Sequence, residues 1–301
     1  MSRILIIKLA NNSFERYFSK QMEKSEIDVC DIAGLLDLSK TNSLRDILLH
    51  RGVYRYAKSH NFDKYDKIIV FDAVVLVPGI FLAVRGKAKI YLWLWNSLGS
   101  GRNIGLRFIK GLFPRVDFYT FDRADACRYG FKYNHQFYFR LPNVGNPSLS
   151  SKTLFFIGQD KGRLNQLQVI ASLVPEGFDC DFRVVPDPEV VYPMGTPFLT
   201  AGFMDYSEVI DIVGKSEVLV DLVKHDQVGM TLRVLEALYY GKKIITNNAS
   251  LLSSEIYTTG NVFVLGCENE GLAEFLDKPT YAYPSELLDR YSYESWLEGF
   301  N

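Results

Sequence analysis

Short runs of β-branched and aromatic residues alternate with stretches of helical periodicity along this chain. Arg3–Lys8, Lys67–Phe71 and Lys89–Trp95 have the length of strands, and helical patterns such as Leu44–Ser59 lie between them. Such alternation is typical of βαβ units, in which a crossover helix connects two parallel strands. The sequence therefore predicts an α/β protein built on parallel sheets.

The alternation falls into two series. The first starts at Arg3 and the second at Thr153, and the segment 141–151 between them is rich in proline, glycine, asparagine and serine, which indicates a linker. A chain of 301 residues is long enough for two domains. We therefore expect two doubly wound, Rossmann-like domains, 1–145 and 151–301, that face each other across a cleft, with ligands at the carboxyl ends of the strands.

Charge, cysteine usage and hydropathy exclude some classes of function. The formal net charge is −1, so the attraction that drives non-specific nucleic-acid binding is missing and no nucleic-acid partner is expected. The four cysteines are far apart and lack the spacing of zinc ligands, so we expect reduced thiols and no metal site. The sequence shows neither a signal-peptide pattern nor an apolar run of about 20 residues, and we therefore expect a cytoplasmic protein.

One segment could still bring the protein to a membrane. Residues 101–115 mix basic side chains with large apolar ones. A basic amphipathic stretch can lie on a lipid surface, which would place the protein at the inner face of the plasma membrane. The alternative is a crossover helix that buries one face inside its domain.

The most informative stretch covers residues 221–248. It predicts a strand end, a loop, a helix over Gly229–Tyr240 that is capped by Gly241, and a further strand. Glu236 follows Arg233 by three positions and lies beside the apolar face of this helix. We therefore expect the Glu236 carboxylate to be partly buried.

This stretch resembles the second domain of GT-B glycosyltransferases, in which a helix ending in Glu-Ala-Leu or Glu-Ala-Met is followed by a glycine turn and a strand. The matching residues here are Glu236-Ala237-Leu238, Gly241-Lys242-Lys243 and Ile244-Ile245-Thr246. The resemblance implies that Glu236 accepts hydrogen bonds from the ribose hydroxyls of a nucleotide. Many retaining members have a second Glu eight residues earlier, where this chain has Val228, so the stereochemistry of the reaction stays open.

The residues that lead up to Glu236 form the pattern Q-x-G-x-T-x-R-x-x-E, which consists of Gln227, Gly229, Thr231, Arg233 and Glu236. The pattern is similar to a branch of bacterial transferases that build surface polysaccharides such as lipopolysaccharide and capsule. The resemblance implies that all five residues bind the donor. Gln227 can hydrogen-bond a sugar, and Gly229 with the first N–H groups of the helix can face a phosphate. The alternative is a well-capped core helix with a charged rim.

A second motif covers Phe155–Arg163 and predicts a strand, a glycine-containing turn and a helix start. Backbone N–H groups and cations converge at such a turn, which suits a pyrophosphate. Similar GT-B enzymes place a glycine, a Lys-Gly pair and an arginine here, so Gly158, Lys161 and Arg163 are candidates for holding the leaving nucleoside diphosphate. These cations would perform the electrostatic task of a metal ion, so we expect a metal-independent enzyme without a cofactor. An ordinary tight turn is the alternative.

The first domain is expected to bind the acceptor. Asp72 and Asp122 each follow a predicted strand, and Asn11 and Asn12 follow the first one, so all four would lie at the carboxyl edge of the sheet. An inverting mechanism needs a base for the acceptor hydroxyl, and Asp72 and Asp122 are equal candidates. Either aspartate could instead be the N-cap of the next helix, Asp122 above all.

Two further observations carry less weight. His225 lies in the loop before Gln227, where it could contact the donor or stay in solvent. Trp93 and Trp95 alternate with leucines along one strand, which favours the core over a sugar-stacking surface.

Three other classes of protein compete with a transferase. An NAD-dependent oxidoreductase also contains βαβ domains, but Ala10-Asn11-Asn12 follows the first strand in place of G-x-G-x-x-G. An exported two-domain binding protein would need a signal peptide, whereas a sugar-nucleotide epimerase of the same fold stays open. We therefore expect a glycosyltransferase of the hexosyltransferase class, which takes a UDP- or GDP-sugar as donor and a saccharide or lipid-linked saccharide as acceptor.

Overall fold

The computed structural model describes most of the chain in ten stretches. These are residues 3–9, 13–23, 27–32, 43–84, 86, 88–98, 110–140, 151–224, 228–268 and 271–300. The contacts divide the chain into two compact units, of which the first is Met1–His135 with Phe300 and the second is Gln136–Gly299. Most of the predicted linker and most of the amphipathic segment 101–115 lie outside the described residues, as do Asn11, Asn12, His225 and Gln227.

The first unit contains a parallel sheet of six strands in the order β2-β1-β3-β4-β5-β6. The strands are β1 Ile4–Lys8, β2 Asp28–Asp31, β3 Lys67–Phe71, β4 Lys89–Leu94, β5 Val116–Thr120 and β6 Lys132–Tyr133. The helices described in this unit are α1 Ser13–Glu23, α2 Ser43–Ser59, α3 Val77–Ala83 and α4 Arg123–Tyr129. The strand order reverses between β1 and β3, which is where doubly wound sheets bind their ligands.

The core of the first unit follows from strands that are apolar on both faces. Ile68, Ile69 and Val70 of β3 are fully buried, as expected for a parallel strand covered by helices on both sides. Phe300 belongs to this core, because its ring centroid lies 5.4 Å from that of Tyr91 and 5.0 Å from that of Tyr119.

The second unit contains a parallel sheet of five strands in the order β11-β10-β9-β7-β8. The strands are β7 Ser151–Gln159, β8 Asp179–Val185, β9 Ser216–Asp221, β10 Lys243–Thr246 and β11 Val262–Val264. The helices are α5 Leu164–Leu173, α6 Tyr206–Lys215, α7 Leu232–Tyr240, α8 Leu272–Asp277, α9 Ser285–Arg290 and α10 Tyr293–Glu298. Here the order reverses between β7 and β9, so the carboxyl ends of these two strands define the expected ligand position.

Helix α7 differs from its prediction at one end and agrees at the other. It begins at Leu232 and not at Gly229, because the Thr231 hydroxyl accepts a hydrogen bond from Val234 N and caps the helix. It ends at Tyr240, where Gly241 adopts the left-handed conformation expected of a C-terminal glycine cap.

Two further elements differ from what the sequence pattern predicts. The helical periodicity of Pro284–Leu297 predicts one last helix. The structure splits it into α9 and α10, because the Ser292 side chain accepts from Ser295 N and starts a new helix. The aromatic run Gln136–Phe139 predicts a short strand, but the structure has one isolated bridge there, between Tyr138 and Ser292.

No helix within the described stretches is both long enough and apolar enough to cross a membrane.

Candidate functional site

The turn after β7 combines the features expected of an anion site. Lys161 and Gly162 both have positive φ angles, 46° and 80°, and α5 begins directly after Arg163. The Arg163 guanidinium donates from Nη1 to the carbonyl of Gln159 at 3.2 Å, so it folds back over the strand end. A Cβ at Gly158 would lie 3.5 Å from Nη1, at ordinary van der Waals distance, so the guanidinium packs directly beside the end of the strand.

The cations at this turn have capacity left for a ligand. Arg163 Nε is buried and has no hydrogen-bond partner among the described residues. Burial lowers the pKa of the Arg163 guanidinium, while the carboxylates of Asp221, Asp160 and Asp187 raise it. Burial also lowers the pKa of the Lys161 ammonium, and the nearby charges of Lys224 and Arg163 lower it further. Because like charges here repel one another, an anion would be stabilised at this turn.

At the end of β9, the neighbouring strand, Asp221 organises the loop that leads to α7. Its Oδ1 accepts from the Thr231 hydroxyl at 2.9 Å, and its Oδ2 accepts from the Thr246 hydroxyl at 3.3 Å. Asp221 is 6% exposed, and burial raises the pKa of its carboxyl, although the hydrogen bond from Thr231 and the charge of Arg233 act in the opposite direction. Thr231 therefore serves as helix cap and as a clamp on the strand end.

Glu236 lies inside the protein. Its Oε1 accepts from the Tyr206 hydroxyl at 2.7 Å, and its Oε2 accepts from the Arg233 guanidinium, so both oxygens have protein partners. The side chain is 1% exposed, and burial raises the pKa of the carboxyl against the opposing charge of Arg233. Arg233 also lies over the ring of Phe155, with its guanidinium carbon 5.4 Å from the ring centroid. Helix α7 thus places this ion pair against one face of β7.

A cavity of about 430 Å³ opens on the same face of β7. Ile157 lines it and lies two residues beyond Phe155, so the two side chains share a face of the sheet. Arg183 of β8 also lines the cavity, and Asp181 holds its guanidinium in a fork with contacts of 2.8 and 2.9 Å. The other lining residues are Thr200, Ala201, Gly202, Phe203, Met204 and Glu208. The cavity is therefore lined by a fixed cation, an aromatic ring and the carboxylate of Glu208.

Gly229 has a structural role. It is buried before the start of α7, and its carbonyl accepts from Asn248 Nδ2 at 3.4 Å, while the carbonyl of Val228 accepts from the Ser250 hydroxyl at 2.7 Å. These contacts attach the loop to the segment after β10. Because Gly229 lies outside the helix, its N–H is not one of the free N–H groups of the first helical turn.

In the first unit, Asp72 directly follows β3 at the reversal of strand order. Its φ is 53°, a conformation that non-glycine residues rarely adopt. The carboxylate accepts from Trp95 N at 3.1 Å and from Asn96 Nδ2 at 2.6 Å, and burial raises its pKa despite these hydrogen bonds. A carboxyl with a raised pKa at the carboxyl edge of a sheet is a physical candidate for a general base.

Asp122 has a different environment. It is the N-cap of α4, and its Oδ1 accepts from Ala124 N at 2.8 Å and from Asp125 N at 3.1 Å. The residue is 1% exposed. The capping role that the sequence offered as its alternative therefore explains this aspartate.

Lys8 is a buried charge that the sequence did not reveal. It ends β1 beside β3, is 2% exposed, and donates to the carbonyl of Glu15. Burial lowers the pKa of its ammonium to about 8, although Glu15, Asp31 and Glu23 favour the charged form.

Trp93 and Trp95 of the first unit pack against each other. Trp93 is fully buried, as predicted, and Trp95 packs against it with the two rings perpendicular at 5.2 Å.

The chain contains one Asp-x-Asp sequence, Asp179-Cys180-Asp181, a motif that holds a metal ion in some transferases. It occupies the start of β8, at the amino end of the strand, and Asp181 is engaged by Arg183. Among the described residues no group of three or more His, Cys, Asp or Glu side chains is arranged to hold a metal ion.

Comparisons with known proteins bear on the fold. No family model and no curated protein matches the sequence. Solved structures with a similar fold include sucrose-phosphate synthase from Thermosynechococcus elongatus, with a TM-score of 0.56, 11% identity and coverage of 88% of this chain and 86% of that one.

Two further solved structures resemble the chain. An α-glucosyltransferase in complex with UDP and DNA has a TM-score of 0.54 and 11% identity, and covers 99% of this chain and 94% of that one. HepE from Anabaena in complex with UDP has a TM-score of 0.53 and 14% identity, and covers 91% of this chain and 89% of that one. At these identities the likeness shows the fold alone, and it confirms the predicted class: two Rossmann-like domains of the GT-B type.

The structure thus brings the predicted residues of the second domain to two neighbouring strand ends and one helix. Gly158 lies near the carboxyl end of β7, and Lys161 and Arg163 follow this strand. Thr231 caps α7, and Arg233 and Glu236 lie within it. Sequence reasoning missed Asp221 and Tyr206, which hold this arrangement. The sequence position of Asp221 could have indicated its role, because it ends a buried strand just before the loop. Tyr206 had no such local signal, since its hydroxyl contacts Glu236 across 30 residues of sequence.

Proposed function

We propose that the protein is a glycosyltransferase of the hexosyltransferase class, which moves a sugar from a nucleotide-sugar donor to a saccharide or lipid-linked saccharide acceptor in the synthesis of a cell-surface polysaccharide. The observation that carries the proposal is the convergence of Lys161 and Arg163, which keeps an unpartnered Nε, at the reversal of strand order in the second unit. Two neighbours of the same fold were solved with UDP, which supports a nucleotide ligand.

In this proposal the β7 turn holds the diphosphate of the donor. Negative charge grows on the diphosphate as the bond to the sugar breaks, and cations already held near that position stabilise the leaving group. Lys161 and Arg163 supply these charges, and Lys224 lies close enough to influence the pKa of Lys161. The dipole of α5, whose positive end lies at this turn, adds a further favourable term.

The nucleoside would lie along the face of β7 that α7 covers. We assign the ribose to Glu236 and the base to the cavity lined by Ile157, Arg183 and Phe203, since an aromatic ring and a fixed cation suit a flat heterocycle. Both oxygens of Glu236 already accept hydrogen bonds, so ribose hydroxyls would use the remaining lone pairs of the carboxylate. Gln227, which lies outside the described residues, stays a candidate for the sugar.

For the acceptor, the first domain offers Asp72 as the base that takes the hydroxyl proton. Its carboxyl has a raised pKa and does not cap a helix, whereas the Asp122 carboxylate is occupied by two helical N–H groups. Proton transfer by such a group contributes about 10²–10⁴-fold to the rate.

The test is a panel of UDP- and GDP-sugars incubated with and without saccharide acceptors, with the products identified by mass spectrometry. A transferase releases nucleoside diphosphate and extends the acceptor. An epimerase would interconvert the nucleotide sugar without an acceptor, and this outcome would replace the proposal.

Binding can be checked before any acceptor is known. A nucleoside diphosphate at about 100 times its Kd stabilises the protein by about 2.7 kcal/mol, enough to raise the melting temperature by a few degrees. UDP or GDP should produce this shift and NAD at the same concentration should not. A shift with NAD alone would favour the oxidoreductase.

A further inference from the structure

The turn that carries Lys161 requires support from elsewhere in the protein. Lys161 has a φ of 46°, in the left-handed region, and a lysine gains nothing locally from this conformation. A residue held in such a conformation persists only where its surroundings determine it, and such sites cluster where ligands bind. The residues that hold Lys161 in this conformation therefore belong to the candidate site.

Three side chains close a ring of hydrogen bonds around Lys161. The backbone N–H of Lys161 donates to Asp187 Oδ2 at 2.8 Å, and the N–H of Asp187 donates to the Tyr192 hydroxyl at 3.0 Å. The Tyr192 hydroxyl in turn donates to Asp160 Oδ2 at 2.7 Å. Because Asp160 directly precedes Lys161, the ring returns to the turn and fixes both ends of the Asp160–Lys161 peptide.

The ring is anchored to two rigid elements. Asp160 Oδ1 accepts from Leu164 N at 2.8 Å at the start of α5, and Asp160 N donates to the carbonyl of Val185, the last residue of β8, at 2.9 Å. Asp160 is 6% exposed, while Lys161 is exposed to solvent. The anchored ring of hydrogen bonds thus presents the exposed cation of Lys161 in a fixed backbone conformation.

Asp187 also contributes charge to the turn. Its Oδ1 is buried and has no hydrogen-bond partner within the described part of the chain. Its carboxylate favours the charged forms of both Lys161 and Arg163. It therefore offsets the mutual repulsion of these cations while no anion is bound.

We propose that Asp187 and Tyr192 are positioning residues for diphosphate recognition, acting through the backbone of Lys161 and not by contact with the substrate. The inference rests on the proposed function and deepens it, because it assigns the loop after β8 a role toward one part of the donor, the β-phosphate that carries the sugar. A pre-set Lys161 avoids the cost of ordering the turn when the ligand binds. The nucleoside portion of the donor should not depend on this ring.

The test compares the affinities of the full-length protein for UDP and UMP by calorimetry, or for GDP and GMP if the nucleotide panel selects guanine. Tyr192→Phe removes the hydroxyl and its two hydrogen bonds but keeps the aromatic side chain. The expected result is a loss of about tenfold in affinity for UDP and a change of less than about twofold for UMP. Tyr281→Phe is the matched control, since Tyr281 is 47% exposed and should leave both affinities unchanged.

Asp187 provides a second, graded test. Asp187→Asn keeps an oxygen that can accept from Lys161 N, whereas Asp187→Ala removes it, so the Asn variant should recover most of the UDP affinity that the Ala variant loses. The chemical shift of the β-phosphorus of bound UDP should move in the Ala variant and stay near the wild-type value in the Asn variant.

The two proposals fail in different ways. A parallel loss of UDP and UMP affinity in Tyr192→Phe, or equal losses in both Asp187 variants, would overturn the positioning role alone. If the wild-type protein binds no nucleotide of either kind, the proposed function falls, and this inference falls with it.

Discussion

The Tyr206 hydroxyl donates to one oxygen of Glu236 and the Arg233 guanidinium donates to the other, so the carboxylate expected to meet a ribose is already bound inside the protein. A carboxylate offers about four lone-pair sites, and ribose hydroxyls would share oxygens that other donors occupy. Arg233, Tyr206 and Glu236 therefore act as one unit, and changes to one should be felt by the others.

Removing only the cation should be more harmful than removing the whole pair. Arg233→Met leaves Glu236 as an uncompensated charge, 1% exposed, and should destabilise the protein by about 3–5 kcal/mol. The double variant Arg233→Met/Glu236→Leu should recover much of this loss, because no buried charge remains. Melting temperatures of the wild type, both single variants and the double variant measure the coupling. Additive effects of the two substitutions would contradict a buried pair.

Glu236→Gln tests the role toward the donor. The amide has nearly the same shape but no charge, so a charged hydrogen bond to the ribose, worth about 1.5–3 kcal/mol, is weakened. Turnover at low donor concentration should fall about tenfold to hundredfold, with the fold retained by circular dichroism. Donor affinity close to that of the wild type would show that the ribose does not meet this residue.

Asp72 and Asp122 can be separated by substitutions that respect their surroundings. Asp72→Asn keeps an oxygen for Trp95 N but removes the base, and kcat should fall by about 10² or more. Asp122→Ser preserves a good N-cap for α4 and should leave kcat within about twofold. Steady-state kinetics with a saturating donor give both values. A large loss in Asp122→Ser with a mild one in Asp72→Asn would reverse the assignment.

Lys161→Met and Arg163→Met should each weaken UDP binding by about tenfold or more, because each removes a charge from the site of the diphosphate. Since these cations supply the charge stabilisation, excess EDTA should leave activity unchanged. The control is Lys152→Met, because Lys152 is an exposed lysine near the amino end of β7, far along the strand from the diphosphate turn. Activity that EDTA abolishes and magnesium or manganese restores would show that a metal ion neutralises the diphosphate.

The sequence predicts those parts of the fold and of the candidate site that a local pattern determines. The alternation of strands and helices, the Gly241 cap and the burial of Glu236 all follow from periodicity within one segment. The start of α7 was misjudged because Thr231 owes its position to Asp221, ten residues away, as well as to the helix that it caps. The supports of Lys161 were missed for the same reason, since Asp187 and Tyr192 meet it only after β8 has paired with β7.

The burial of Lys8 makes stability depend on pH in a direction that can be worked out. The ammonium of Lys8 loses its proton near pH 8 in the folded protein, against a value of 10.5 without burial. Between these two values the unfolded chain binds more protons than the folded one, so the free energy of unfolding rises with pH across this window. Below pH 8 the folded protein must keep a charged amine away from water, and Lys8→Met removes this cost.

The variant Lys8→Met should therefore be more stable than the wild type at pH 7.5, and its advantage should shrink as the pH rises to about 10. The total change is on the order of 3 kcal/mol, because each unit of pKa shift corresponds to about 1.4 kcal/mol. Urea unfolding of both proteins at matched pH values measures the difference and cancels the titration of all other groups. Lys20→Met is the control, because Lys20 is exposed on the adjacent helix and its ammonium stays in water on folding. A constant difference between Lys8→Met and the wild type from pH 7.5 to 10 would mean that Lys8 keeps its proton in the folded state, supported by Glu15, Asp31 and Glu23.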